Sequence, residues 1–197
     1  MFIMRAFARR NGEVLKMSEI EPQEVIDFWI AAGPKKWWRK DPEFDAEIKQ
    51  RFGGIHEQAC AGKLDHWANT PAGALALILV LDQFSRNLFR DSPLAFAQDD
   101  KCAALARVQI KSGADQKMPS DINEFCYLPL MHSERLADQD LCLESLQRLG
   151  KEQNIKAAVE HRDIIVEFGR FPHRNRVLGR VTTEQEQAFL DGGGFSG

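Results

Sequence analysis

Hydrophobic residues recur along the chain with the spacing of amphipathic helices. One set follows at steps of four, four, three and four: Phe44, Ile48, Phe52, Ile55 and Ala59. Positions spaced in this way fall on one side of an α-helix. Residues 72–84 are instead apolar on every side as far as Leu81, which predicts a central helix that its neighbours bury.

The same periodicity predicts about seven helices in all. A short one carries Val25, Ile26, Trp29 and Ile30, and longer ones cover residues 94–110, 136–149 and 155–168. We find no alternating strand pattern of useful length and no Asn-Gly hairpin signal. The sequence therefore predicts an all-α protein, either a multi-helix bundle or a superhelical stack, although no repeat of fixed period is readable.

Capping residues and glycines indicate where these helices begin and end. Predicted starts are Asp41-Pro42, Thr70-Pro71, Ser92-Pro93, Asn154, and Thr183 with Glu186. Predicted stops are Gly33-Pro34, Gly62, Gly113, Gly150 and Gly169. We divide the chain into a flexible N-terminal segment at 1–17, a single helical domain at 18–191 and a flexible Gly-rich tail at 192–197.

Composition and charge exclude several classes of protein. A chain of 197 residues with 44% hydrophobic residues can bury one sizeable core. The formal charge of −3 gives no overall attraction to nucleic acid or to an anionic membrane. No apolar run reaches the roughly 18 residues that a membrane span needs. We therefore expect neither nucleic acid nor a membrane as a partner.

Cysteine usage and the first residues bear on location. The four cysteines are widely spaced and form no CxxC pair, which favours reduced, mostly buried thiols and a cytoplasmic protein. Residues 1–16 carry four basic groups against one acid, so a targeting peptide is one interpretation. The favoured one is a frayed or over-extended N-terminus, with the natural start near Met17.

A first polar cluster ends the buried helix. Asp82, Arg86 and Arg90 follow at i, i+4 and i+8, so they share one face if the helix continues. Charges that follow so apolar a run are predicted to be partly buried and to need partners. One interpretation is a structural Asp82–Arg86 ion pair with Asn87 closing the helix end, and the other is a ligand site.

A second cluster combines histidine with an acid. Pro129 breaks the local helix, which leaves His132 and Glu134 at a bend. A His–carboxylate pair is suited to acid–base chemistry. In the alternative interpretation Ser133 caps the next helix while His132 packs against the core.

The third cluster is the densest in charged and polar side chains. His161-Arg162-Asp163 lie within a helix, and a loop beyond Gly169 then carries Arg170, His173, Arg174 and Asn175. Because an Arg-Asn pair occurs in both the first and the third cluster, we expect these two helix ends to face each other.

Standard catalytic and cofactor motifs are missing from the chain. It contains no GxSxG elbow, HExxH, P-loop or GxGxxG. The histidines and acids of the clusters lack a recognisable metal-ligand spacing, so we assign no metal and no cofactor. Gly53-Gly54 is interpreted as a close-packing point inside a helix. Trp37-Trp38, among four basic residues, is interpreted as a loop packed on the core rather than a stacking platform.

Several of these motifs, in this order, resemble the bacterial family known as domain of unknown function 924. They are Val25-Ile26-Asp27-Phe28-Trp29, Lys36-Trp37-Trp38, Asp82 through Asn87, Tyr127-Leu128-Pro129, Met131-His132-Ser133-Glu134, and His161-Arg162-Asp163 through Arg174-Asn175. The resemblance covers residues 20–190. It implies an all-helical, tetratricopeptide-like fold and brings no assigned activity. The family pattern has Pro where this chain has Ser85.

We weigh three functions for this chain. The first is binding of a small anionic molecule or a carboxylate-bearing peptide, by Asp82, Arg86, Asn87, Arg90, Arg162, Arg170, His173, Arg174 and Asn175. The second is a hydrolase-type enzyme, with or without a metal, that uses His132, Glu134, His161 and Asp163. The third is a helical scaffold that presents a groove to a partner helix. Homo-oligomerisation stays open in each case.

Overall fold

The structure is a computed structural model that describes residues 20–195 together with the backbone of Arg9–Arg10 and Glu13–Val14. The α-helices of this part are α1 Pro22–Ala32, α2 Pro34–Trp37, α3 Pro42–Cys60, α4 Pro71–Ile78, α5 Phe84–Leu88, α6 Asp99–Ser112, α7 Leu128–Met131, α8 Leu136–Leu149, α9 Glu152–Phe168 and α10 Glu184–Asp191. The prediction of an all-α protein is confirmed. The tetratricopeptide-like arrangement of the helices stays a prediction.

Shorter elements connect the helices. Single 3-10 turns lie at Asp65–Asn69, Pro93–Ala95, Asp115–Lys117, Asn123–Cys126 and Pro172–Arg174, and a π-helical segment lies at Leu79–Gln83. Strands β1 Arg9–Arg10 and β2 Glu13–Val14 form a two-stranded antiparallel pair, with Arg9 opposite Val14. The predicted flexible segment at 1–17 otherwise lies outside the described residues.

Side-chain caps fix several helix starts at the predicted residues. Asp41 accepts hydrogen bonds from the backbone N–H groups of Glu43 and Phe44, both at 3.1 Å. Thr70 accepts one from Gly73 N at 3.1 Å, and Thr183 forms a capping box with Glu186. Such caps satisfy N–H groups that have no partner within the helix. The stops at Gly113, Gly150 and Gly169 are also confirmed, each with a left-handed backbone.

Two predicted helix starts are wrong. The helix predicted from Leu94 begins at Asp99, because Ser92 caps only the 3-10 turn Pro93–Ala95, which ends before α6. The helix predicted from Asn154 begins at Glu152, and no side chain caps it. The first correction matters for function, since it places Asp99 in the first turn of α6.

Helix α4 and the π segment form the middle of the core. Every residue from Gly73 to Gln83 is buried, and Ala74 through Leu81 are 0% exposed. α1, α6 and the turn Asp65–Asn69 pack around α4, and α3 packs on α5 and on the π segment. Complete burial of one leucine or isoleucine side chain contributes about 1.5–3 kcal/mol, so this segment anchors the fold.

The structure contradicts the packing predicted at Gly53-Gly54 and agrees with that predicted at Trp37. A Cβ atom added at Gly53 or Gly54 would meet nothing within 4 Å, so the predicted close packing there is wrong. Trp37 packs as predicted, since its Nε1 donates to Trp29 O at 2.7 Å. Trp38 is 53% exposed and stacks on Phe125 at a centroid distance of 5.4 Å.

Three of the four cysteines are buried, and Cys60 is partly exposed. All four are free thiols, as predicted. No helix among the described residues is long and apolar enough to cross a membrane.

The Gly-rich tail, predicted to be flexible, is packed as far as Phe195. Gly194 N donates to Phe189 O at 3.0 Å, and a Cβ at Gly194 would lie 2.5 Å from the Phe189 ring. The Phe195 ring lies 4.4 Å from the His161 ring and 5.1 Å from the His173 ring. The aromatic residue within the glycine run explains the difference, because it gives the tail apolar surface to bury.

Candidate functional site

A π-helical segment interrupts the buried helix directly before the first polar cluster. In this segment Phe84 N donates to Leu79 O, five residues back, where an α-helix would use the residue four back. The extra residue places Asp82 in the interior with 0% exposure. π segments of one turn occur frequently at functional sites, so the backbone itself marks this position.

Asp82 collects three side-chain partners. Its carboxylate lies 2.9 Å from Arg86 NH1, 2.8 Å from His132 Nδ1 and 2.6 Å from Gln83 Nε2, which donates to it. Burial alone would raise the pKa of Asp82, but the charge of Arg86 and the contact with His132 outweigh it and hold this pKa well below its ordinary value. Asp82 is therefore a buried carboxylate that stays ionised.

Two arginines meet at one carboxylate beside Asp82. Arg86 NH2 and Arg174 NH1 each lie 3.1 Å from Asp99 Oδ2. The two predicted clusters therefore face each other, as the repeated Arg-Asn pair predicted. Asp82, Arg86, Asp99, His132 and Arg174 are called the polar centre below.

Aromatic rings support the guanidinium groups of the polar centre. The Arg174 guanidinium lies 4.6 Å from the Phe96 ring centroid and 4.5 Å from that of Phe171. Such contacts stabilise a cation that has lost much of its water. Burial lowers the pKa of Arg174 to about 10, which still leaves it charged at neutral pH. Burial raises the pKa of Asp99 despite the nearby charge of Arg86.

The polar centre reaches the surface at Arg86 and His132 and, to a smaller extent, at Asp99, whose side chain is 12% exposed. Arg86 is 20% exposed and His132 is 16% exposed, while Asp82 is fully buried. Burial, followed by the charge of Arg86, lowers the pKa of His132, so its ring is neutral at neutral pH. Arg174 is 6% exposed, and its Nε atom is buried without a hydrogen-bond partner in the described part of the chain.

Glu134 does not pair with His132, so the acid–base pair, one of the two interpretations of this cluster, does not form. It binds Arg180 NH1 at 2.7 Å and NH2 at 3.0 Å, and accepts a hydrogen bond from Phe171 N at 2.9 Å. Burial opposes this ionisation, but the hydrogen bond from Arg180 outweighs it and lowers the pKa of Glu134. Glu134 therefore fixes the loop that carries Arg174.

The two histidines of the third cluster lie under the tail. His161 is 8% exposed and its Nδ1 lies 2.8 Å from Ala157 O, an acceptor, so Nδ1 carries the proton. His173 Nδ1 is buried and unpartnered within residues 20–195. Burial, then the charge of Arg174, lowers the pKa of His173 to about 4. Asp163, the predicted partner of His161, has a side chain that is 69% exposed, so this pair does not form.

The remaining predicted ligand-binding residues lie away from the polar centre. Asn87 does not close its helix end, because its Nδ2 donates to Asp45 Oδ1 at 2.7 Å. Arg90 binds both oxygens of the same carboxylate, at 2.6 and 2.9 Å. Arg162 pairs with Asp140 at 2.6 Å on the surface. These side chains tie helices together rather than face the centre.

The last two predicted residues brace the chain beyond α9. Arg170 binds both oxygens of Glu186, at 2.6 and 2.8 Å. Asn175 is 0% exposed, and its Oδ1 atom has no partner among the hydrogen bonds of the described chain. Its Nδ2 donates to Thr182 Oγ1 at 3.5 Å, so Asn175 bonds within the chain beyond α9 and not to the polar centre.

Sequence reasoning missed the acids that organise these arginines. Asp45 and Asp99 each accept hydrogen bonds from two side chains, and Glu186 accepts two from Arg170. Asp99 was missed because the helix was predicted to start at Leu94, which made Asp99 an interior position without a special role. Its place at the true helix start, next to Asp100, is the signal that could have found it.

Metal ligation and surface grooves complete the description. Among the described residues no group of three or more His, Cys, Asp or Glu side chains is placed to hold a metal ion. One surface groove lies between α1 and α3 over Phe28 and Phe44. A second lies along α9 against Phe189 and Phe195. Neither groove is lined by residues of the polar centre.

Comparisons with other proteins agree with the fold. The chain is similar to the solved structure of a protein of unknown function from Agrobacterium tumefaciens, with 41% sequence identity and a TM-score of 0.83. The match covers 87% of this chain and 97% of that one. The comparison with curated proteins finds no match. The model of the family described as bacterial protein of unknown function (DUF924) matches residues 25–194. The chain belongs to this family.

Proposed function

We propose that the polar centre binds a small anionic molecule through a carboxylate or phosphate group. The observation that carries the proposal is the convergence of two guanidinium groups, from Arg86 and Arg174, on one oxygen of Asp99 at 3.1 Å each. Guanidinium groups hold carboxylate and phosphate oxygens in the same geometry. The contact with Asp99 supports the proposal, because it places one carboxylate oxygen within hydrogen-bond distance of both cations.

Unused donor capacity supports the proposal. Arg174 Nε is buried without a partner in the described chain, and such an unpaired polar atom costs about 1–3 kcal/mol. Arg86 and His132 reach solvent at 20% and 16% exposure. An oxyanion arriving from solvent would meet Arg86 first and His132 beside it.

Isothermal titration calorimetry with glutarate, acetate, phosphate and sulfate tests the proposal and separates carboxylate from phosphate ligands. We expect saturable binding of at least one anion by the wild-type chain. Arg86→Gln and Arg174→Gln should each weaken it about 10–100-fold, since a hydrogen bond to a charged group contributes about 1.5–3 kcal/mol. Arg162→Gln is the matched control, because its ion pair with Asp140 lies on the surface.

Two results would refute this assignment. The first is the absence of binding by the wild-type chain at millimolar concentrations of every anion tested. The second is unfolding of Arg86→Gln and Arg174→Gln while any bound mass seen in native mass spectrometry is unchanged, which would make these arginines structural ion-pair partners.

The cytoplasmic location and the partner class stay predictions.

A further inference from the structure

The Asp82–His132 contact fixes which imidazole nitrogen is free. Asp82 is ionised and accepts, so His132 Nδ1 carries the proton at 2.8 Å. The lone pair is therefore on Nε2. Nε2 has no hydrogen-bond partner in residues 20–195 and is not fully buried.

Burial keeps the His132 ring neutral, and the contact with Asp82 orients it. Arg86 lowers the pKa of His132, while Asp82 and Asp99 raise it, and burial exceeds each of them, so the net direction is downward. A neutral imidazole held by a buried carboxylate is the arrangement that general bases use. The π segment that positions Asp82 is an independent sign of function, because it costs the helix regular hydrogen bonding.

We propose that His132 transfers protons in the hydrolysis of a small ester that carries a carboxylate group, with Asp82 as its positioning residue. The proposal rests on the proposed function, since Arg86 and Arg174 would hold the carboxylate of the ester. The free lone pair of His132 Nε2 would act as the base, and the two arginines beside it would bind the carboxylate of the substrate.

The chemical step balances with water alone. In the described part of the chain no hydroxyl or thiol bonds His132 Nε2, so we take water as the nucleophile. The water oxygen bonds to the acyl carbon while Nε2 takes one of its protons. The ester C–O bond then breaks, and the leaving alcohol oxygen takes that proton back from Nε2. No electrons are gained or lost.

Two chromogenic esters test the proposal: the mono-4-nitrophenyl ester of glutaric acid and the neutral 4-nitrophenyl butyrate. We expect kcat/KM for the anionic ester to exceed that for the neutral one about 10–100-fold, as for loss of one charged hydrogen bond. His132→Gln should lower kcat/KM for the anionic ester about 10²–10⁴-fold, the usual contribution of a general base. His66→Gln, at an exposed histidine, is the matched control and should leave it unchanged.

A pH profile separates a positioning role for Asp82 from a structural one. Wild-type kcat/KM should rise with pH through an apparent pKa below the ordinary histidine value of about 6.5, because His132 must be neutral to accept a proton. Asp82→Asn should shift this apparent pKa and lower kcat with KM little changed. If Asp82→Asn does not fold, judged by circular dichroism, the partly exposed His132→Gln decides alone.

The outcomes separate this proposal from the proposed function. If the wild-type chain binds glutarate but hydrolyses the ester no faster than His132→Gln does, proton transfer by His132 is overturned and the proposal of an anion site is retained. Equal hydrolysis of both esters by the wild-type chain also overturns it. Absence of both glutarate binding and hydrolysis overturns the two proposals together.

Discussion

Replacing Gly73 and Gly54 by alanine should change the stability in opposite directions. Both glycines lie in helices, and alanine is favoured over glycine in a helix by about 1 kcal/mol. At Gly73 the added Cβ would lie 2.1 Å from Trp67 O and 2.9 Å from Thr70 Oγ1. At Gly54 it would meet nothing within 4 Å. At Gly73, alanine therefore adds a steric clash to the gain in helix propensity, whereas at Gly54 it adds no clash.

The magnitude follows from these contacts. Overpacking costs typically about 1–3 kcal/mol, and the upper part of this range applies at Gly73 because a backbone carbonyl cannot rotate away. Net of the helix gain, Gly73→Ala should destabilise the protein by roughly 1–2 kcal/mol. Gly54→Ala should stabilise it by about 1 kcal/mol. For a chain of this size 1 kcal/mol shifts Tm by about 2–4 °C.

Thermal unfolding followed by circular dichroism, together with urea titration, measures both changes. We expect Tm to fall by roughly 2–8 °C for Gly73→Ala and to rise by about 2–4 °C for Gly54→Ala. The reasoning is refuted if Gly73→Ala is as stable as the wild type, because the close approach of α4 to the preceding turn would then not exist.

Two further predictions concern the histidines near the tail. Stability should fall as pH drops from about 6.5 towards 4. The reason is that the pKa of His173 is lowered to about 4 in the folded chain, so the unfolded chain binds more protons in this window. His173→Gln should reduce the slope of Tm against pH, and an unchanged slope would contradict the assignment. Phe195→Ala should speed the reaction of diethyl pyrocarbonate with His161 and His173 relative to exposed His66, as mapped by peptide mass spectrometry. Equal rates in both proteins would mean that the Phe195 ring does not cover these histidines.

Local features of the fold could be predicted from the sequence, and features that depend on one inserted residue could not. The caps at Asp41 and Thr70 and the glycine stops depend on neighbouring residues, so the sequence shows them directly. The π segment at Leu79–Gln83 begins inside the apolar run, which continues to Leu81, so periodicity gives no sign of it. The start of α6 was misplaced because Ser92 caps the 3-10 turn Pro93–Ala95 and not α6.

The sequence identified residues of the site better than it identified which of them interact. The sequence marked Asp82, Arg86 and Arg174, since charges next to an apolar run must find partners. One of its two interpretations paired His132 with Glu134, two residues away, whereas the structure pairs it with Asp82, fifty residues away. Partners at such separations depend on how helices pack, and a single sequence does not contain that information.

The Asp99–Arg174 ion pair also has a consequence for the order of events during synthesis. The two residues are 75 positions apart, so at about 5–20 residues per second the ribosome makes Arg174 roughly 4–15 s after Asp99. During that interval Asp82, Arg86 and Asp99 have been synthesised, but the chain does not yet contain their last cation. The nascent helices α4 to α6 therefore wait for the C-terminal part of the chain before their charges are balanced.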